Sequence, residues 1–319
     1  MGRAAAAFSK GEKMLSVIIP AYNEEENIPR AVKEIGGVLA EEGIAHELIF
    51  IDDGSKDATW EKIKAESAKR RTVRGVHFSR NFGKESAIYA GLEAAEGDCA
   101  AVIDCDLQHP PEKLVEMYRL WEDGYEVIEA VKKDRGKESA AHKAAAGCFY
   151  SIISKVTGID MQRASDFKLM DRKVVLALLN IHEKNAFFRA LSAWVGFKTT
   201  QVEFSVRERE AGVSKWSTKS LIKYALTNIT SFSTAPMQVV TFLGVVMFIV
   251  MLVFGIVSLV QKIMGTALGG FTTVILLLLF IGSIVMMSLG IIGYYIAKIY
   301  EEVKGRPRYI VSEECGRRA

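Results

Sequence analysis

Two stretches, Met237 to Val260 and Phe271 to Ala297, each run for more than 20 residues without a charged side chain. At 1.5 Å of rise per residue, a helix of that length crosses about 30 Å of hydrocarbon. The pair reads as a membrane-spanning hairpin, because helices of a soluble core generally stop at about 20 residues and keep a polar face. The remaining chain must then hold nearly all the charge. Mean hydropathy is +0.15 although 25% of the 319 residues are charged and 50% are hydrophobic, which a single soluble domain describes poorly and which excludes a disordered or collagen-like chain. At roughly 150 residues per domain, the length fits two units.

Charges bracket the hairpin unevenly. The link Gln261 to Gly270 carries only Lys262, whereas Lys215, Lys219 and Lys223 precede the first span and Lys298, Lys304, Arg306 and Arg308 follow the second. The positive-inside rule puts both ends in the cytoplasm. Between Ser214 and Pro236 the three lysines recur every four residues, while Ile222, Ala225, Leu226 and Ile229 gather on another face. That pattern suits a helix lying in the membrane interface, with Trp216 and Tyr224 as anchors, or an amphipathic helix packed on a soluble domain. The link beyond the membrane is too short for an active site, so the chemistry belongs to the N-terminal portion.

A net charge of +3, from 41 basic and 38 acidic residues, gives no ground for a nucleic-acid partner. Cys99, Cys105, Cys148 and Cys315 lack the spacing of a structural zinc site and are too few for a disulfide framework, which fits a reducing compartment. The alanine-rich start is too short for a signal-peptide core, and residues 1–13 read as disordered.

Five β-rich runs, Leu15 to Pro20, Glu47 to Ile51, Val73 to Phe78, Ala100 to Ile103 and Glu126 to Val131, alternate with helix-length stretches. Nearly continuous apolar strands imply an α/β fold, a mostly parallel sheet with helices on both faces, whose ligands bind beyond the carboxyl ends of the strands. Those ends carry Pro20-Ala21-Tyr22-Asn23-Glu24, Asp52-Asp53-Gly54-Ser55 and Asp104-Cys105-Asp106-Leu107-Gln108. Neither a G-x-G-x-x-G nor a P-loop is present, so dinucleotide and P-loop readings fail. Asp104 and Asp106, two apart, point the same way if the strand stays extended, and suit Mg²⁺ or Mn²⁺, which takes few protein oxygens and leaves room for phosphate. The alternative is a solvated acidic turn. His109, followed by Pro110, reads as a turn residue in preference to a metal ligand.

Six ordered motifs make the chain recognisable: Ser16 to Glu24, Asp52 to Ser55, Ser79-Arg-Asn-Phe-Gly-Lys84, Asp104 to Glu112, Ser165-Asp-Phe-Lys-Leu-Met-Asp-Arg172 and Gly212-Val-Ser-Lys-Trp216. With the terminal hairpin, they resemble the inverting family-two glycosyltransferases, in particular the polyprenyl-phosphate group that includes dolichol-phosphate mannose synthases and bactoprenol glucosyltransferases. The resemblance implies a GT-A catalytic domain over 14–213, an interfacial region over 214–236, spans over 237–260 and 271–297, and a cytoplasmic tail over 298–319. It also implies that Pro20, Tyr22, Glu24, Ile51 and Asp53 hold the nucleoside. Asp104, Cys105, Asp106 and Gln108 would sit at the donor diphosphate, with Asp104, Asp106 and Gln108 on the metal. Lys132, Arg209 and Lys215 match basic residues near the phosphates, and Asp166, Arg209 and Lys215 are the catalytic candidates. Relatives usually have alanine where Cys105 stands, and often Gly-Asp-Phe-Arg where this chain has Ser165 to Lys168.

The implied reaction is attack by a lipid phosphate on the anomeric carbon of a nucleotide sugar in the inner membrane, with glucose from UDP-glucose transferred to undecaprenyl phosphate as the expected case. UDP-GlcNAc, UDP-galactose, GDP-mannose and a modified pentose are alternative donors. A phosphate monoester is already mostly anionic at neutral pH, so no strong base is required and Asp166 is left with orientation, metal contact or proton removal as its role. Competing readings are a processive synthase, disfavoured by the lack of a Q-x-x-R-W motif, a non-catalytic membrane scaffold, and a soluble nucleotidyltransferase. Gly244, Gly255, Gly282, Gly290 and Gly293 permit close helix contacts within a chain or in a homo-oligomer.

Overall fold

The computed structural model describes residues 13–133, 165–181, 183, 187–205, 235–265 and 270–316. Arg209, Lys215 and the interfacial region expected over 214–236 lie outside them, apart from the start of the first long helix. Two compact units divide the chain: residues 1–216 with 306–319, and residues 217–305.

The first unit is built on an eight-stranded sheet. In chain order its elements are β1 (Met14–Ala21), α1 (Ile28–Glu41), β2 (Ala45–Asp52), α2 (Thr59–Lys69), β3 (Val73–Phe78), α3 (Lys84–Ala94), β4 (Cys99–Val102), α4 (Glu112–Glu122) and β5 (Val127–Lys132). Then come β6 (Lys168–Asp171), α5 (Arg172–Leu179), α6 (Phe188–Trp194), β7 (Thr199–Phe204) and, after the second unit, β8 (Val311–Cys315). The order is β7-β5-β6-β4-β1-β2-β3-β8. Strands β4, β1, β2 and β3 are parallel, and β6 and β8 run antiparallel to their neighbours.

Local sequence explains these elements. Leu15 and Val17 to Ile19 are wholly buried, as expected of a central strand covered on both faces. Helix α1 buries Ile28, Ala31, Val32, Ile35 and Leu39, the 3–4 spacing of one helical face, and Pro29 suits its first turn. Helix α4 does the same with Leu114, Met117, Tyr118 and Trp121. Register then decides where the loops meet: Ala21 lies beside Asp52, and Ile18 beside Val102. The loops after β1, β2 and β4 therefore leave one edge of the sheet together.

The C-terminal residues are not simply a tail. Val311–Cys315 forms the edge strand β8 against β3, satisfying backbone groups that an open edge would leave unpaired. Trp60 Nε1 donates to Glu313 (2.8 Å) and Tyr309 stacks on Phe78 with ring centroids 4.9 Å apart. Residues up to Val303 instead extend the preceding helix.

The second unit holds helices α7 (Ala235–Ile263) and α8 (Phe271–Val303). Their windows Val240–Ile263 and Phe280–Val303 have mean hydropathies of 3.0 and 1.9, with neither buried. Both helices are long and apolar enough to cross a membrane. A cavity of about 270 Å³ between them is lined by residues that include Val240, Gly244, Met247, Ile281 and Ser288.

Candidate active site

The loops after β1 and β2 brace each other. Asn23 is left-handed (φ 55°), a conformation asparagine tolerates better than most residues. Its backbone N–H donates to Ser55 Oγ (2.9 Å), and its Oδ1 accepts the N–H of Lys56 (2.9 Å). The Glu24 N–H donates to Thr59 Oγ1 (2.8 Å). Asp53 faces the other way, accepting N–H bonds from Phe82 (2.6 Å) and Gly83 (2.9 Å). Burial pushes its carboxyl above the usual carboxylate range, and those two N–H groups oppose the shift. Gly54, with φ +66°, passes so close to the 80–81 backbone that a Cβ would lie 2.7 Å from Asn81 N and 2.8 Å from Arg80 Cα. The second loop thus fixes residues 80–83, and with them the start of α3.

Helix α3 begins with Lys84, whose ammonium lies between two carboxylates, 2.6 Å from Asp104 Oδ1 and 2.9 Å from Asp166 Oδ2. Burial works against that charge, but Asp104 and Asp166 outweigh it and hold the lysine above its usual range. Arg189, on α6, grips Asp166 with two bonds, Nε to Oδ1 (2.6 Å) and a terminal nitrogen to Oδ2 (2.9 Å), the forked geometry that makes such pairs strong. Burial would raise the Asp166 pKa, yet Lys84 and then Arg189 hold it well below the ordinary range. Glu85, beside Lys84, is raised to about 7, first by burial and then by the charge of Asp166. Its Oε2 accepts the Phe188 N–H (2.9 Å).

Asp104 is also held below its usual value, Lys84 and His109 outweighing burial. The buried His109 stacks on Phe167 (4.9 Å), and its Nδ1, 4.0 Å from Asp104 Oδ2, has no hydrogen-bond partner among the described residues. Leu107 is left-handed (φ 56°), turning the chain so that the Gln108 N–H reaches Asp106 Oδ1 (3.2 Å).

A cavity of about 370 Å³ opens among these loops, and Pro20, Tyr22, Glu24, Asp53, Asp104, Cys105 and Asp106 all line it, together with Lys84 and Asn81. Two other expected residues do not: Ile51 is wholly buried in β2, and Gln108 meets Asp106 through its backbone. Lys132 stands exposed at the end of β5, near enough for its charge to bear on His109. Asp166 is buried behind Lys84. Among the described residues no cluster of three or more acidic, histidine or cysteine side chains is arranged to hold a metal. The two cavity-lining carboxylates still fit a hard divalent ion, since Mg²⁺ commonly takes one or two protein carboxylates and completes its shell with phosphate and water.

Lys84, Glu85 and Arg189 are the site residues that sequence reasoning missed. Lys84 closes a motif and faces an acidic pocket, a signal that was available. Arg189 stands 23 residues beyond Asp166 with nothing local to mark it.

The family model of Glycosyl transferase family 2 matches residues 16–182, a span containing every residue named above as lining the cavity of about 370 Å³. The chain belongs to glycosyltransferase family 2. It is a glycosyltransferase with a GT-A-like α/β fold. An uncharacterized glycosyltransferase of Synechocystis is 38% identical over 304 residues, 95% of this chain and 96% of its own. A bactoprenol glucosyl transferase of Shigella phage SfV is 35% identical over 302 residues, 94% of this chain and 98% of its own. Glucosyl-3-phosphoglycerate synthase from Mycobacterium tuberculosis is more remote, at 20% identity over 69% of this chain and 77% of that one, with a TM-score of 0.48.

Proposed function

We propose that this family-2 enzyme transfers glucose from UDP-glucose to the phosphate of a polyprenyl phosphate such as undecaprenyl phosphate, at the cytoplasmic face of the inner membrane. The observation that carries this reading is the cavity itself: Asp104 and Asp106 face the same space as Pro20, Tyr22, Glu24 and Asp53. The glucosyl group and the polyprenyl acceptor are supported by relatives matched over 93–94% of this chain and named bactoprenol glucosyl transferases, from several Shigella phages. Helices α7 and α8 supply the means of holding such an enzyme where the head of a membrane-borne lipid lies.

In this reading Tyr22, Glu24 and Asp53 bound the nucleoside end of the pocket, and Asp104 with Asp106 hold Mg²⁺ or Mn²⁺ at the diphosphate. A bound divalent ion supplies neutralisation of the leaving-group charge. Lys84 adds a fixed cation beside it, with Lys132, Arg209 and Lys215 as further candidates for the phosphates. The acceptor phosphate, anionic at neutral pH, attacks without a strong base. Asp166, twice bonded by Arg189 and paired with Lys84, has little proton affinity, which favours an orienting role over proton removal.

The test uses membranes containing the full chain, a panel of labelled nucleotide sugars, and added undecaprenyl phosphate. Label should pass from UDP-glucose to lipid only with acceptor present, and Asp106→Ala should lower the rate by about 100-fold or more. Equal turnover in variant and wild type removes the catalytic reading; transfer from another donor alone replaces glucose.

A further inference from the structure

We propose that Lys84 is the resident counter-ion of the donor cavity, and that it yields Asp104 when a divalent cation binds there and turns its ammonium to the anionic donor. This rests on the reading of Asp104 and Asp106 as the metal-holding pair. Three observations support it. The Lys84 ammonium bridges Asp104 and Asp166 at 2.6 and 2.9 Å. Asp166 has a second partner that would remain, because Arg189 also binds both Asp166 oxygens. And Lys84 lines the open cavity with a side chain 42% exposed, so its flexible four-carbon stem has space to swing into.

The electrostatics give the arrangement a direction. The carboxylates of Asp104 and Asp106 line the cavity with that of Asp166 buried behind Lys84, and among the described residues Lys84 and Arg189 are the cations paired with Asp104 and Asp166. A divalent ion on Asp104 would meet an ammonium already bound to the same carboxylate, and two cations at such spacing repel. Lys84 therefore opposes binding of the metal ion alone. With a diphosphate present the sign reverses: the released ammonium gains a partner of opposite charge, and Asp166 stays paired through Arg189. Ion and donor consequently bind more tightly together than the ion alone, a coupling that is reciprocal by linkage.

Mn²⁺ binding to the detergent-solubilised full chain, read by electron paramagnetic resonance with and without UDP, tests this without turnover. In the absence of UDP, Lys84→Met should bind Mn²⁺ about 10-fold more tightly than wild type, and Lys84→Arg, which keeps the charge, should stay near wild type. With UDP present, Lys84→Met should lose most of the Mn²⁺–UDP cooperativity seen in wild type. Lys84→Gln gives the same comparison should the methionine variant fold poorly. Unchanged or weaker Mn²⁺ binding in both neutral variants overturns the proposal while leaving the metal pair standing, provided that Asp104→Asn with Asp106→Asn abolishes binding. If that double variant binds Mn²⁺ like wild type, the metal-site reading falls and the counter-ion proposal with it.

Discussion

Burial raises the proton affinity of two acids at the start of the site, but their charged neighbours send them in opposite directions. Asp166 has Lys84 and Arg189 against it and is held low; Glu85, facing the Asp166 charge, is raised to about 7. Their effects on stability have opposite signs. Asp166 contributes stability above its ordinary value of 3.8 that is lost as pH falls further. Glu85 keeps a proton in the native state that the unfolded chain gives up near its ordinary value of 4.5. Its contribution is whole below that value and is lost as pH rises through about 7. Glu85→Gln cannot ionise and can still accept the Phe188 N–H. Between about pH 5 and pH 8 its melting temperature should gain on wild type by about 5–10 °C, equivalent to roughly 2–3 kcal/mol for a domain of this size. Parallel Tm-against-pH curves for the two proteins would contradict the assignment.

At the scale of elements, the edge strand β8 matters most after the loops that form the cavity. It closes the sheet beside β3, and the segment leading into it is tied down along its length. Arg308 donates to the carbonyls of Ile181 and Glu183 and lies over the Tyr89 ring (4.4 Å), and Tyr309 donates to Glu93. Because Tyr89 is on the same helix as Lys84 and Glu85, this segment supports α3 from behind the site. A chain ending after Gly305 should lose roughly 3 kcal/mol or more of stability, from unmade ladder hydrogen bonds and the baring of Phe78. It should also aggregate through the opened β3 edge. Thermal unfolding and light scattering check both; an unchanged melting temperature would mean that β8 is ornamental.

For the whole molecule, the question is what the 29- and 33-residue helices do for a sugar-transferring domain. Their apolar side chains are exposed, Phe242 by 67% and Met286 by 70%, a condition hydrocarbon satisfies and water does not. The full chain should remain in the membrane pellet after an alkaline carbonate wash. Met286→Arg, in the apolar run of α8, should reduce the inserted fraction, since a charge near a span centre costs about 2.5–3.5 kcal/mol on insertion scales. Release of the wild type by carbonate would remove the spanning role of the hairpin and leave the catalytic domain untouched.

The α/β alternation, the two apolar helices and seven lining residues of the cavity were legible in the sequence, because strand composition, helix length and loop motifs are local properties. Ile51 adjoins the same motif but does not line the cavity, because strand pleating buries its side chain. Strand β6 spans four residues, and β8 carries two glutamates, so neither has an apolar pattern to announce it. Which charges meet was decided by tertiary structure alone. Lys84, Asp104, Asp166 and Arg189 lie on three loops or helix starts and one short helix, and they converge because sheet register and the Asp53 and Gly54 contacts bring those segments to one edge. Periodicity along a chain fixes which face of an element is buried; only the assembled sheet fixes which ions share a dielectric.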